Sequence, residues 1–123
     1  MKPSEIIIQD SEKRNLDPKV VLFGVNYIIK KGGLILSQDK SVLVLQRISK
    51  KAFACHLFTI DSPIGLSKSL LMFLSQMQNK GINELYGKAD NQEIIGLIKH
   101  LATSKGVEVK NSDLPQYNWM IEL

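Results

Sequence analysis

The stretch HLFTIDSPIGLSKSLLMFLSQMQNKGINELYGKADNQEIIGLIKHLATSKGVEV, residues 56–109, decides the fold. It opens on an apolar strand that Asp61-Ser62-Pro63 breaks, with Gly65 loosening the turn. A helix then runs to about Asn79 with Leu70, Phe73, Leu74 and Met77 at the i, i+3, i+4, i+7 spacing of a buried stripe, and Gly81 ends it. Residues 82–88 return to strand, and Ala89-Asp90-Asn91 turns the chain. Asp90 with Glu93 has the capping-box spacing, and Ile94, Leu97, Ile98, Leu101 and Ala102 make a second helical stripe that Gly106 closes. Residues 107–110 are a short strand. Strands joined through helices must run parallel, so this part of the chain is α/β.

Working outward, residues 52–60 form the longest strand candidate. Phe53, Cys55 and Leu57 face one side and Ala54, His56, Phe58 and Ile60 the other, so both faces are apolar and the strand belongs at the centre of a sheet covered on both sides. Before it, residues 34–37 and 41–46 flank Gln38-Asp39-Lys40 as a hairpin. Asp17-Pro18 starts a helix that buries Val21, Val25 and Ile28, flanked by Leu22 and Ile29, carries Lys30 and Lys31 in its last turn and stops at Gly32-Gly33. Residues 4–15 favour a short helix capped by Ser4, although Ile6-Ile7-Ile8 suits a strand equally. Residues 116–123 give a last strand with Tyr117, Trp119 and Ile121 on one face. The expected architecture is a mixed α/β (α+β) domain over 1–123. Its helical part is 1–33, and its sheet and crossover helices are 34–123, with about six strands and helices on both faces.

Length and composition agree with one globular domain: 123 residues, 44% hydrophobic and 23% charged. A single cysteine excludes an internal disulfide framework and fits a reducing compartment. The beginning, MKPSEIIIQD, is not signal-peptide-like, and no apolar run approaches a membrane span, so a cytoplasmic, non-secreted protein is expected. The net charge of +4 is spread over single and paired cations, Lys30-Lys31 and Lys50-Lys51 among them. A solvated face accounts for these better than a nucleic-acid stripe through Lys30, Lys31, Arg47, Lys50 and Lys51, because no aromatic platform is interleaved with them.

Hairpin strands followed by strand–helix–strand–helix–strand–strand over 34–123 resemble the GNAT (N-acetyltransferase) superfamily in order and spacing. The resemblance implies that 56–60 is the family's central strand, whose exposed backbone and following helix N-terminus take the pantetheine and pyrophosphate of an acyl-CoA. On that reading Leu57, Phe58, Thr59, Gly65, Leu66, Ser67 and Lys68 would hold acetyl-CoA. Asn91 stands where the family carries an Asn at a helix start. The motifs are reduced: the loop 61–68 has one glycine, no arginine and an acidic residue at its start. Ala102 stands where the family's general-acid Tyr is expected, four residues before Gly106. Small GNAT-like proteins of tailed phages, some of them virion parts, look like this chain.

Two residues are candidate general bases. His56 lies mid-strand and has the titration range for deprotonating an amine; the alternative is a half-buried histidine held by a hydrogen bond. Glu84 begins the neighbouring strand, as a base acting through water or as a surface carboxylate. His100 is expected to face solvent. Cys55 neighbours His56 and so points to the opposite strand face; it reads as a small buried hydrophobe. With two histidines and one cysteine, no metal site is expected. Two functions follow: an acyl-CoA-dependent N-acyltransferase or a catalytically degenerate relative, and alternatively a non-catalytic structural or interaction protein, such as a virion component. Protein partners or a homo-oligomer are expected; nucleic acid and membrane are not.

Overall fold

The computed structural model describes residues 1–88 and 92–123, the side chains of 92–95 excepted. Ten elements follow in order: α1 (Pro3–Lys13), α2 (Pro18–Lys30), β1 (Leu34–Gln38), β2 (Ser41–Arg47), β3 (Ala52–Thr59), α3 (Pro63–Asn79), β4 (Glu84–Gly87), α4 (Gln92–Ser104), β5 (Val109–Lys110) and β6 (Trp119–Glu122). The strands make one six-stranded sheet in the order β1-β2-β3-β4-β6-β5. The expected mixed sheet with helices on both faces is therefore what the chain forms.

β3 lies inside the sheet, antiparallel to β2 and parallel to β4. One face carries Leu43, Leu45, Phe53, Leu85 and Ile121, which pack with Phe73, Leu74 and Met77 of α3 and Ala102 of α4. The other carries Val42, Val44 and Phe58, covered by Ile6 and Ile7 of α1 and Val25 of α2. Both faces of β3 are thus covered, as its apolar alternation requires.

Several local expectations change. α1 begins at Pro3 with no side-chain cap, so Ser4 lies inside the helix rather than at its cap. Ile6 and Ile7 are helical despite their β-branching, because burying both against the sheet outweighs their propensity. α3 begins at Pro63, which places Gly65 in the first helical turn instead of a loop; Ser62 caps it by accepting the Gly65 N–H at 3.2 Å. Parallel pairing is confined to β3–β4. β6 inserts between β4 and β5 and runs antiparallel to both, so the helical crossover from β4 to β5 does not make them neighbours. Tyr117 precedes β6 and escapes its alternation: its ring packs 5.9 Å from that of Tyr86, whereas Trp119 and Ile121 join the α3/α4 core. Asp17 does cap α2, accepting the Lys19 N–H at 3.0 Å. The turn 89–91 and the capping-box pair Asp90 and Glu93 lie outside the described residues or side chains. Among the described residues no helix is long and apolar enough to cross a membrane, and no group of three or more His, Cys, Asp or Glu is placed to hold a metal ion.

Candidate active-site cleft

Pairing between β3 and β4 covers only Ala52–Glu84, Phe53–Leu85 and Ala54–Tyr86. β3 continues to Thr59, still paired to β2, while β4 stops at Gly87. Among the described residues, one edge of β3 therefore has no strand partner from Cys55 onward. A cleft of about 690 Å³ opens there. Cys55, Leu57, Leu70, Ile98 and Trp119 line it from the α3/α4 face; Asp10, Arg14, His56 and Phe58 line it from the α1/α2 face. Lining from both faces means that the opening passes through the sheet between the two strands.

The direction of the free backbone groups follows from the antiparallel alternation of β2 and β3. Ile48 N–H bonds Ala52 C=O and Ile60 N–H bonds Lys40 C=O, so the even-numbered residues of β3 exchange hydrogen bonds with β2. Cys55, Leu57 and Thr59 therefore turn their N–H and C=O groups toward the cleft. Two of these groups have partners from α1. Thr59 N–H donates to Asp10 Oδ1 at 3.3 Å, and Arg14 Nη2 donates to Leu57 C=O at 3.5 Å. Asp10 and Arg14 are joined as well: Arg14 Nε donates to Asp10 Oδ2 at 2.8 Å, and Nη2 reaches the same oxygen. The guanidinium also lies over the Phe58 ring, 5.6 Å from its centroid. Asp10 and Arg14 escaped the sequence reading; their spacing of one helical turn was the available signal, but nothing marked the pair as facing a strand edge.

His56 is half-buried in the cleft wall, with Nε2 3.0 Å from Gln46 Oε1. With that oxygen toward the ring, Nε2 donates and Nδ1 keeps a lone pair. Burial lowers the His56 pKa from its ordinary 6.5, so the ring is neutral near pH 7. Cys55 faces the opposite side, where burial pushes its thiol up to about 12; it is a protonated lining group, not a thiolate.

Glu84 sits away from His56. It is paired with Ala52, four residues before His56 and about 13 Å along the strand at the usual rise. It accepts a hydrogen bond from Tyr86 Oη at 2.8 Å, and Asp113 accepts from the same hydroxyl at 3.2 Å. The bond to Glu84 is the largest cause raising the Tyr86 pKa, followed by burial and the two carboxylate charges. The two candidate bases thus belong to separate places.

At the far end of β3 two backbone donors in the first turn of α3 are already taken by Ser62. Gly65 N–H donates to Ser62 Oγ and Leu66 N–H to Ser62 C=O at 2.8 Å, while the Ser67 hydroxyl donates to Pro63 C=O at 2.9 Å. The Asp61 carboxylate packs on the Cα of Gly65, in the space a Cβ would take, and Oδ1 accepts the Ser62 N–H at 2.8 Å. Gly65 is thus the residue that lets a carboxylate approach this helix start. Lys68 is exposed. Asn91 lies outside the described residues. In α4, Ala102 is buried and His100 exposed. Lys88 and Leu16 complete the cleft mouth, neither singled out by sequence.

Solved structures show the same arrangement of elements. A ribosomal-protein-alanine N-acetyltransferase from Brucella melitensis superposes with a TM-score of 0.57 at 10% identity, covering 98% of this chain and 90% of its own. A GNAT-family acetyltransferase from Staphylococcus aureus Mu50 gives 0.59 at 16% identity, covering 97% and 90%. An IAA acetyltransferase from Bacillus cereus ATCC 14579 gives 0.55 at 15% identity, covering 99% and 93%. No family model matches the sequence, and no curated protein matches it. At these identities the likeness carries the fold: the chain has the GNAT acetyltransferase fold.

Proposed function

We propose that the chain is an acyl-CoA-dependent N-acyltransferase that takes its acyl donor in the cleft between β3 and β4. One observation carries the reading: β3 and β4 part after Ala54–Tyr86 and leave an apolar slot whose strand edge offers a carbonyl and an amide N–H at Leu57 and Thr59. That slot fits a slender amide-bearing arm. The diphosphate end fits less well, because Asp61 already faces the first turn of α3. Leu57, Phe58 and Thr59 would hold the arm, with Gly65, Leu66, Ser67, Lys68 and Asn91 toward the nucleotide.

Acyl-CoA, when bound, supplies a thioester carbonyl whose C–S bond breaks as the new C–N bond forms. His56 takes the proton of the acceptor amine at Nδ1, and Gln46 fixes the ring that does so. The depressed pKa keeps this lone pair free at neutral pH. The apolar walls at Leu57, Leu70, Ile98 and Trp119 limit water at the thioester. The test is calorimetric titration with CoA and acetyl-CoA, with melting followed in parallel. Binding at saturating ligand, about a hundred times Kd, adds roughly 2.7 kcal/mol and raises Tm. No heat and no Tm shift at millimolar CoA would reject the reading. With an amine acceptor panel, His56→Gln is expected to lower transfer about 10²- to 10⁴-fold while CoA binding is retained.

A second reading is a non-catalytic member of the same fold serving in an assembly, such as a virion. The outer stripe of α2 favours it: Val20, Phe23 and Tyr27 are 67%, 75% and 56% exposed. Light scattering of the pure protein and its detection in purified particles test this reading, and a lone monomer absent from any assembly contradicts it.

A further inference from the structure

We propose that Asp10 and Arg14 of α1 are an intramolecular competitor for the strand edge that the acyl donor needs, so that this end of α1 must release β3 before the ligand binds. The inference rests on the cleft reading above and concerns its regulation. Among the groups the strand edge presents are an acceptor, Leu57 C=O, and a donor, Thr59 N–H, two residues apart and turned the same way. A ligand chain with an amide would pair with such an edge as a neighbouring strand does. Here Arg14 supplies the donor and Asp10 the acceptor. Together the two side chains present to β3 the hydrogen-bonding pattern of an amide-bearing chain.

Three features make the contact releasable. The bonds to β3 are long, 3.3 and 3.5 Å, at the weak end of hydrogen-bond geometry, so a ligand amide at ordinary distance replaces them with better ones. Arg14 is the C-cap residue of α1, followed by Asn15 at φ 57°, and helix ends open most readily. Its side chain is 49% exposed and has room to turn outward, whereas that of Asp10 is 9% exposed. Asp10 cannot stay buried without a partner, so the guanidinium and carboxylate must leave the edge as a unit or exchange Thr59 for a new donor. The device is therefore all-or-none, with the pair on the strand or the ligand on it.

The test compares wild type, Arg14→Ala and the double variant Asp10→Ala/Arg14→Ala, which removes both the acceptor for Thr59 N–H and the donor to Leu57 C=O, in calorimetric titrations. The probes are CoA and pantetheine, the latter isolating the strand edge from the α3 end. Amide hydrogen exchange at Thr59 is followed by NMR. Removing a competing closed state raises apparent affinity by the fraction closed, so both variants are expected to bind both probes about fivefold tighter or more. Thr59 N–H should lose protection in the double variant and regain it with CoA. Wild-type binding with equal or weaker binding in both folded variants overturns the inference: the pair then supports the site instead of blocking it. Thr59 remaining protected in the ligand-free double variant also overturns it. If no form binds CoA at millimolar concentration, the acyl-donor reading falls and this inference with it. That outcome is distinct, because the former results keep binding to the wild type.

Discussion

The two halves of β3 have the same apolar alternation and opposite surroundings. Ala52, Phe53 and Ala54 have strands on both edges and are 6%, 3% and 1% exposed. Among the described residues Cys55, His56, Leu57, Phe58 and Thr59 have a strand on one edge only; all but Phe58, which α1 and α2 cover, are half-buried. The first half is core in the ordinary sense. The second spends its apolar character on a cleft wall and leaves its backbone groups to whatever can reach them, here α1. Burial in a strand depends on where its neighbours stop, and β4 stops at Gly87. A hydrophobic pattern thus marks a residue as turned away from water without saying whether the space in front of it is filled.

Truncation in each half tests this contrast and carries the largest expected effect. Phe53→Ala removes a ring packed in the α3/α4 core and stacked under Arg47, whose guanidinium is 4.8 Å from the ring centroid. It should lower unfolding free energy by about 3–5 kcal/mol. Leu57→Ala removes a side chain that already borders open space, so little new cavity forms and the loss should be about 1 kcal/mol. Urea denaturation of both variants checks the ratio. Equal losses would mean that the cleft closes in solution and the two halves are alike.

A smaller effect is expected where the cleft begins. Gly87 is the first β4 residue beyond the pairs with β3, and the Trp119 ring lies against its Cα where a Cβ would stand. Gly87→Ala should cost about 1–3 kcal/mol by forcing the indole away. Adding Trp119→Leu should restore most of that loss while removing part of the cleft wall. Thermal melts of the single and double variants, read with CoA titrations, show whether one contact serves both stability and the opening.

The fold was legible because periodicity and punctuation were clean. Asp17-Pro18, Gly32-Gly33, Asp61-Ser62-Pro63, Gly81 and Gly106 bracket elements that the structure contains within a few residues. The insertion of β6 beside β4 was not legible, since strand order depends on long-range pairing that no local pattern encodes. At the candidate site, residues 56–60 and the start of the next helix were marked by the resemblance to the GNAT order of elements, not by the local pattern. The contacts of Asp10 and Arg14 with the strand edge, and the packing of Asp61 on Gly65, were not marked. Each of these residues is an ordinary surface-type residue in sequence and becomes significant only through contact with backbone that the fold leaves free. Glu84 shows the converse: a plausible base by position, it is engaged by Tyr86, four residues along the sheet from His56.

The smallest effect isolates the ionisable group of the open half. His56 is neutral in the folded protein, with a pKa below 6.5 because burial disfavours the imidazolium. The unfolded chain titrates near 6.5, so between that pH and the lower folded pKa the unfolded state binds more protons. Stability therefore falls as pH drops through this window and is unaffected by His56 above it. The partial exposure of His56 keeps its contribution the smallest of these effects. His56→Gln should flatten the difference in unfolding free energy between pH 7.5 and 5.5, measured by urea denaturation at matched ionic strength. A stability gain on acidification attributable to His56 would instead require a carboxylate partner holding the imidazolium. His56 would then belong with the charged pair on α1 rather than with Gln46 in the neutral wall of the cleft.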